Sequence, residues 1–187
     1  MSGHFLGGDL DADDRDRMAR EVQFLTVQAA ALMGQLRRLG QPSAESRSRA
    51  KLGDLLEGIA ATLEGAVSPG RVHLPKGRGL PPVRVDVEAL HHVLLGLIAA
   101  ALAASPEGGS VRVRAALEGR RVRVEITDTG KPVTVPSALG RGAEPTTGRA
   151  LTFALAAAVL RGMGGRLEGV PRKRGNQLVL WLPAVAS

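Results

Sequence analysis

The stretch Val122-Arg-Val-Glu-Ile-Thr-Asp-Thr-Gly130 holds the chain's strongest candidate for ligand chemistry. Val122, Val124 and Ile126 alternate with Arg123, Glu125 and Thr127, the period of a strand with one apolar face. The strand ends in Asp128 and Gly130. A carboxylate there can accept hydrogen bonds from a ligand, and a glycine lets backbone approach closely. A plainer role is also open, because strand-end aspartates cap turns. Lys131-Pro132 follows, and proline fixes φ and removes a backbone donor. Other chemistry is scarce. The chain has no cysteine, which excludes thiol nucleophiles, disulfides and cysteine zinc sites. Its four histidines are His4, His73, His91 and His92, and none has a visible partner to orient it as a nucleophile. His91 and His92 are adjacent, so they cannot share one helix face to chelate a metal.

These residues need elements to position them. From about Asp13, Met18, Val22, Leu25, Ala29, Leu32, Leu36 and Leu39 recur three or four apart, which predicts a helix. Acidic residues lead it and Arg37-Arg38 close it, as the helix dipole favours. After Gly40-Gln-Pro-Ser43, with Ser43 as candidate cap, a second helix is predicted to run to about Val67. Its stripe is Leu52, Leu55, Leu56, Ile59 and Leu63. The pair predicts an antiparallel helical hairpin over 13–67. Leu25, Leu32 and Leu36 would face Leu55, Ile59 and Leu63 as a seam for dimerisation, or pack on the next domain.

Past Ser68-Pro-Gly70 the pattern changes. Short strands at 71–75 and 82–86 lead into an apolar helix, 87–104. Two alternating strands, 110–117 and 121–128, precede a loop over 129–147 rich in Gly, Pro, Thr and Ser. A helix over 148–163, closed by Gly164-Gly165, and a hairpin of 166–170 with 177–182 complete the chain. Antiparallel strands with inserted helices predict an α+β fold, a two-layer α/β sandwich with the sheet covered on one face. Residues 1–12 are predicted to be a disordered tail.

At 187 residues the chain suits one domain and an appendage. Its 25 Lys and Arg against 18 Asp and Glu give +7, which favours anionic partners. The charge is scattered, and its densest cluster, Arg172-Lys-Arg174, sits in a hairpin loop and reads as a solvated surface. Three Phe, one Trp and no Tyr leave little material for stacking nucleic-acid bases. The uncharged run Val93–Ala104 is too short to span a bilayer, and the N-terminus lacks signal-peptide features. The expectation is a soluble, cytoplasmic protein with no membrane partner.

The order of elements, with these words in it, resembles the ATP-binding domain of sensor histidine kinases, the Bergerat or GHKL fold. Four segments carry the resemblance, which covers about 70–187. Val83-Arg-Val-Asp86 running into Ala89–Leu102 is similar to the stretch containing the N-box. Val124-Glu-Ile-Thr-Asp-Thr-Gly130 resembles the D-x-G-x-G box. Thr147-Gly-Arg-Ala-Leu151 through Gly164-Gly165 resembles the glycine-rich helix start and its close, and Gly175–Pro183 the terminal strand. The resemblance implies a nucleotide site at Asp128, Gly130, Thr147 and Gly148, with Asp128 reading the adenine amino group.

The departures oppose that function. The family's magnesium-binding asparagine falls at Ala100 here, and the preceding family asparagine at Gly96. Alanine supplies no oxygen to a cation that needs oxygen ligands. The second glycine of the box is Pro132, and the phosphate-wrapping glycines reduce to Thr146-Thr-Gly-Arg-Ala-Leu151, where Arg149 and Ala150 narrow the space. Phe24-Leu-Thr-Val27 is similar to the end of the family's phosphoacceptor box, yet Ala19 or Arg20 stands where the histidine would be. The reading is a degenerate histidine-kinase-like protein, a pseudokinase with no catalytic residue, no metal site and no cofactor beyond a vestigial ATP site. Its partners by resemblance are a response regulator, a kinase or a second copy of itself, making a homodimer. Two alternatives remain: a GHKL protein that keeps weak nucleotide binding as a regulator, and a basic nucleic-acid-associated regulator. Asp128 as a remnant turn cap should cost about 0.5–2 kcal/mol at most on replacement by Asn. Whether 45–67 belongs to the hairpin or to the ATPase-like domain stays open.

Overall fold

The computed structural model describes residues 11–39, 47–76, 79–131, 148–170 and 172–185. His4, Ser43, Pro132, Thr146, Thr147, nearly all of the predicted tail and most of the predicted 129–147 loop lie outside these residues. The chain order is α1 (Ala12–Leu39), β1 (Arg47–Ala50), α2 (Leu52–Leu63), β2 (Val72–His73), β3 (Val83–Asp86) and α3 (Val87–Ala104). Then follow β4 (Val111–Glu118), β5 (Arg121–Asp128), α4 (Gly148–Gly162), β6 (Arg166–Val170) and β7 (Asn176–Pro183). The fold is α+β, as the alternation predicts.

Alternating residues build the main sheet. Its strand order is β2-β4-β5-β7-β6, with β2 parallel to β4 and every other pairing antiparallel. Val111, Val113, Val122, Val124, Ile126, Leu178, Leu180 and Leu182 are buried in the common core on the helical side. α3 and α4 cover that face. Eleven of the α3 residues, from Ala89 to Leu102, are buried, so it is apolar on nearly every side as a central helix must be. By length and composition α3 could also cross a membrane, but here its apolar surface is the core of the domain. Asp86 starts it, with its carboxylate accepting from the Ala89 amide at 3.0 Å.

α1 and α2 do not pair as the predicted hairpin: β1 lies between them in the chain, and α2 is buried in the core it shares with α3. Arg47–Ala50 is not helical but a strand, paired antiparallel with β3 from Arg47 opposite Asp86 to Ala50 opposite Val83. α2 is shorter than predicted, and Leu52, Leu55, Leu56, Ile59 and Leu63 are buried in the same core as α3. The α2 stripe therefore does not meet Leu25, Leu32 and Leu36 in a shared seam. Leu25 and Leu36 are 55% and 50% exposed. α1 instead packs against α3 and α4 with a different face. Ala31, Gly34 and Gln35 are its buried residues, and Phe24 and Val27 pack beside them.

Candidate functional site

Two places carry the residues singled out from the sequence: the end of β5, and the space between α1, α3 and α4. At the first, Asp128 is 4% exposed and both of its carboxylate oxygens accept hydrogen bonds from other residues of the chain. Its Oδ1 accepts from the Gly130 amide at 2.8 Å and from the Asn176 side-chain amide, also at 2.8 Å. Its Oδ2 pairs with the Arg149 guanidinium. The Gly130 bond is the turn cap expected of a strand-end aspartate. Gly130 is also required sterically, because a β-carbon there would strike the Ala104 carbonyl at the end of α3. Asn176 ties the turn further by donating to the Lys131 carbonyl at 2.9 Å.

Arg149 comes from the first turn of α4, so that helix delivers a fixed cation onto the β5 carboxylate. Both side chains of the pair are nearly buried, at 11% and 2% exposure. The guanidinium also lies over the Phe153 ring, 5.3 Å from its centroid, one helical turn further on. Sequence reasoning read Arg149 as bulk that narrows a pocket and missed its pairing with Asp128. Asn176 was missed altogether. The available signal was register: β5 and β7 pair antiparallel and place Asn176 directly opposite Asp128.

At the second place, Gly96, Ala100, Gly148 and Arg149 line one cavity of about 510 Å³. Its outer wall is α1, through Leu25, Gln28, Ala29 and Leu32. Gly148, the first residue of α4, thus lies in the cavity with Ala100, whereas Asp128 and Gly130 do not line it. α1 is held in place by polar bonds to the α3 backbone. Gln28 donates to the Ala99 carbonyl at 3.3 Å and Gln35 to the His92 carbonyl at 3.1 Å. Arg38 pairs with Asp86 at 3.1 Å, and Arg37 and Arg38 both pair with Glu88. The approach is close because both helices carry glycine at the crossing. A β-carbon on Gly34 would collide with the His92 ring, and one on Gly96 with the Gln35 amide.

His91 and His92 point to different helices: His92 faces Gly34 of α1, while His91 lies beside Gly58 of α2. Burial, with a smaller contribution from His92, lowers the His91 pKa from its usual value of 6.5.

Residues 85–186 match the sequence pattern of the histidine kinase-, DNA gyrase B-, and HSP90-like ATPases. The chain belongs to this family. No curated protein sequence matches it. Among solved structures, the fold is similar to the histidine kinase AdeS of Acinetobacter baumannii, with 14% identity and a TM-score of 0.63 over 95% of this chain and 87% of that one. The catalytic domain of histidine kinase ThkA is similar at 18% identity and a TM-score of 0.60, covering 74% of this chain and 95% of that one. Full-length ShkA, solved in complex with AMPPNP, is similar at 20% identity and a TM-score of 0.60, over 96% of this chain and 41% of that one.

Proposed function

We propose that this histidine-kinase-like ATPase domain is non-catalytic and acts by binding other signalling proteins. The observation that carries the reading is the Asp128–Arg149 ion pair. A carboxylate that must read an adenine amino group needs a free oxygen facing an open cleft. Here one oxygen accepts from Gly130 and Asn176, and the other is paired with a buried cation. The residues present do not fit magnesium-bound triphosphate either. Ala100 has no oxygen to offer a hard cation, and Arg149 holds Asp128 rather than leaving the start of α4 open. No histidine occurs anywhere on α1 or α2, so a phosphoacceptor on those helices is missing as well. Phosphoryl transfer needs an acceptor, a metal site and a phosphate cradle together.

Family resemblance points to a protein partner, either a response regulator, a kinase or a second copy of the chain. ThkA has been solved in complex with the response regulator TrrA, which supports the first of these. Met18, Val22, Leu25, Met33, Leu36 and Leu39 form an exposed apolar face on α1, which supports self-association. A second reading is weak, magnesium-free nucleotide binding. It is favoured by the cavity that Ala100 and Gly148 share, and ShkA binds AMPPNP on the same fold.

Thermal unfolding with and without magnesium and millimolar ATP tests the proposal. A ligand at about a hundred times its dissociation constant adds roughly 2.7 kcal/mol and raises Tm visibly. We expect no magnesium-dependent shift, while capture with the intact chain retains a receiver domain or a related kinase. A magnesium-dependent shift that Asp128→Asn abolishes would refute the proposal.

A further inference from the structure

The open face of the sheet carries a feature that neither nucleotide chemistry nor folding accounts for. β4 alternates buried Val111 and Val113 with exposed Arg112 and Arg114. In register, Arg112 stands opposite Thr127 and Arg114 opposite Glu125. The turn between β6 and β7 brings Arg172 to the same corner. These three arginines line a hollow of about 320 Å³, with the hydroxyls of Ser110, Thr127 and Thr129 beside them.

Glu125 and Asp128 also line the hollow, but neither carboxylate is paired with these arginines. Glu125 pairs with Arg123 at 2.8 Å, and Asp128 pairs with Arg149 on the helical side. Arg112, Arg114 and Arg172 form no ion pair with any described residue. Elsewhere on this face Arg121 is likewise without an ion pair among the described residues, but other arginines are partnered. Arg123 is partnered by Glu118 and Glu125, and Arg166 by Glu168. Three like charges around a concavity repel one another, whereas a compact dianion would satisfy them together.

The donor set selects the ligand. Guanidinium groups grip phosphate oxygens in pairs, and hydroxyls supply the remaining donors. An extended nucleic acid fits less well. The charges gather at one hollow rather than along a groove, and Trp181, the only tryptophan, lies under Arg166 at the other end of the face instead of standing free for stacking. We propose that this corner of the sheet is a binding site for a phosphate-bearing group, a phosphomonoester or pyrophosphate. It lies away from the helices, since no residue of α3 or α4 lines it, and it meets the family's nucleotide position only at Asp128.

The test is calorimetric titration of the full chain with pyrophosphate, then phosphoserine, at constant ionic strength. We expect saturable one-site binding, weakened about ten-fold or more by Arg112→Gln with Arg114→Gln. Arg49→Gln with Arg161→Gln, which removes the same charge elsewhere, should leave it unchanged. Arg172→Gln lies in a turn and reports the same loss if the strand variant is unstable. Stronger binding of phosphoserine than of pyrophosphate would mark a phosphorylated side chain as the source, and the reverse a free small molecule. No saturable binding, or equal weakening in the control variant, overturns the proposal. So does duplex DNA that binds tightly and is not competed by pyrophosphate.

Discussion

Asp128 illustrates how one side chain is reassigned by its neighbours. As a turn cap alone its loss would cost about 0.5–2 kcal/mol. The buried pair with Arg149 raises that figure, because removing one partner strands a buried charge. Asp128→Asn should therefore destabilise the fold by about 3–5 kcal/mol. Adding Arg149→Met should recover part of the loss, since the stranded cation is then gone, and a denaturant double-mutant cycle measures the coupling. Additive costs would mean that the two side chains do not depend on each other. Gly175 permits the same arrangement. It has φ of +70°, and a β-carbon there would run into the Asp128 carbonyl. Gly175→Ala should cost about 2 kcal/mol or more, from the left-handed backbone and the collision together, read as a lowered urea midpoint.

α1 crosses α3 closely at Gly34 and Gly96 and also packs on α4, while its opposite face is exposed. Gly34→Val should lift α1 off α3, because its side chain would occupy the place of the His92 ring. Hydrogen exchange over 12–39 should then rise sharply while β5 and β7 stay protected. Unchanged protection of α1 would mean that the Gln28, Gln35 and Arg38 bonds hold it without the close crossing. The outward stripe makes a separate prediction at this scale. If Leu25 and Leu36 join two copies, the chain should sediment as a dimer, and Leu25→Glu with Leu36→Glu should give a monomer of similar Tm. A wild-type monomer at high micromolar concentration would exclude that role for the stripe.

Across the whole molecule, His91 couples stability to pH. Its folded pKa lies below 6.5, so the unfolded chain binds this proton more readily than the native one. Its contribution is fully present above pH 6.5 and is lost as pH falls through the lowered folded value. Stability should therefore decline on acidification below 6.5, and His91→Gln should flatten that part of the profile. An identical acid slope in wild type and variant would assign the effect to other groups.

Periodicity by itself determined most of the domain. Alternating Val122, Val124 and Ile126, the apolar run of α3 and the glycines closing α4 each state their own element, because burying one face imposes a local spacing. The absence of an oxygen at position 100 was equally plain. Tertiary structure alone decided where α1 and α2 go. The leucines of α2 and those of α1 have the same helical spacing, yet one stripe is buried in the core and much of the other faces solvent. Spacing records that a face is apolar and not what covers it. The partners of Asp128 were hidden for the same reason: Arg149 and Asn176 lie far along the chain and reach it only through the α4 start and the β5–β7 register. The unpaired arginines of β4 were visible as exposed alternating residues. Their lack of counterions became visible only when the sheet assigned Glu125 to Arg123 and Asp128 to Arg149, because charge compensation depends on distance in space rather than in sequence.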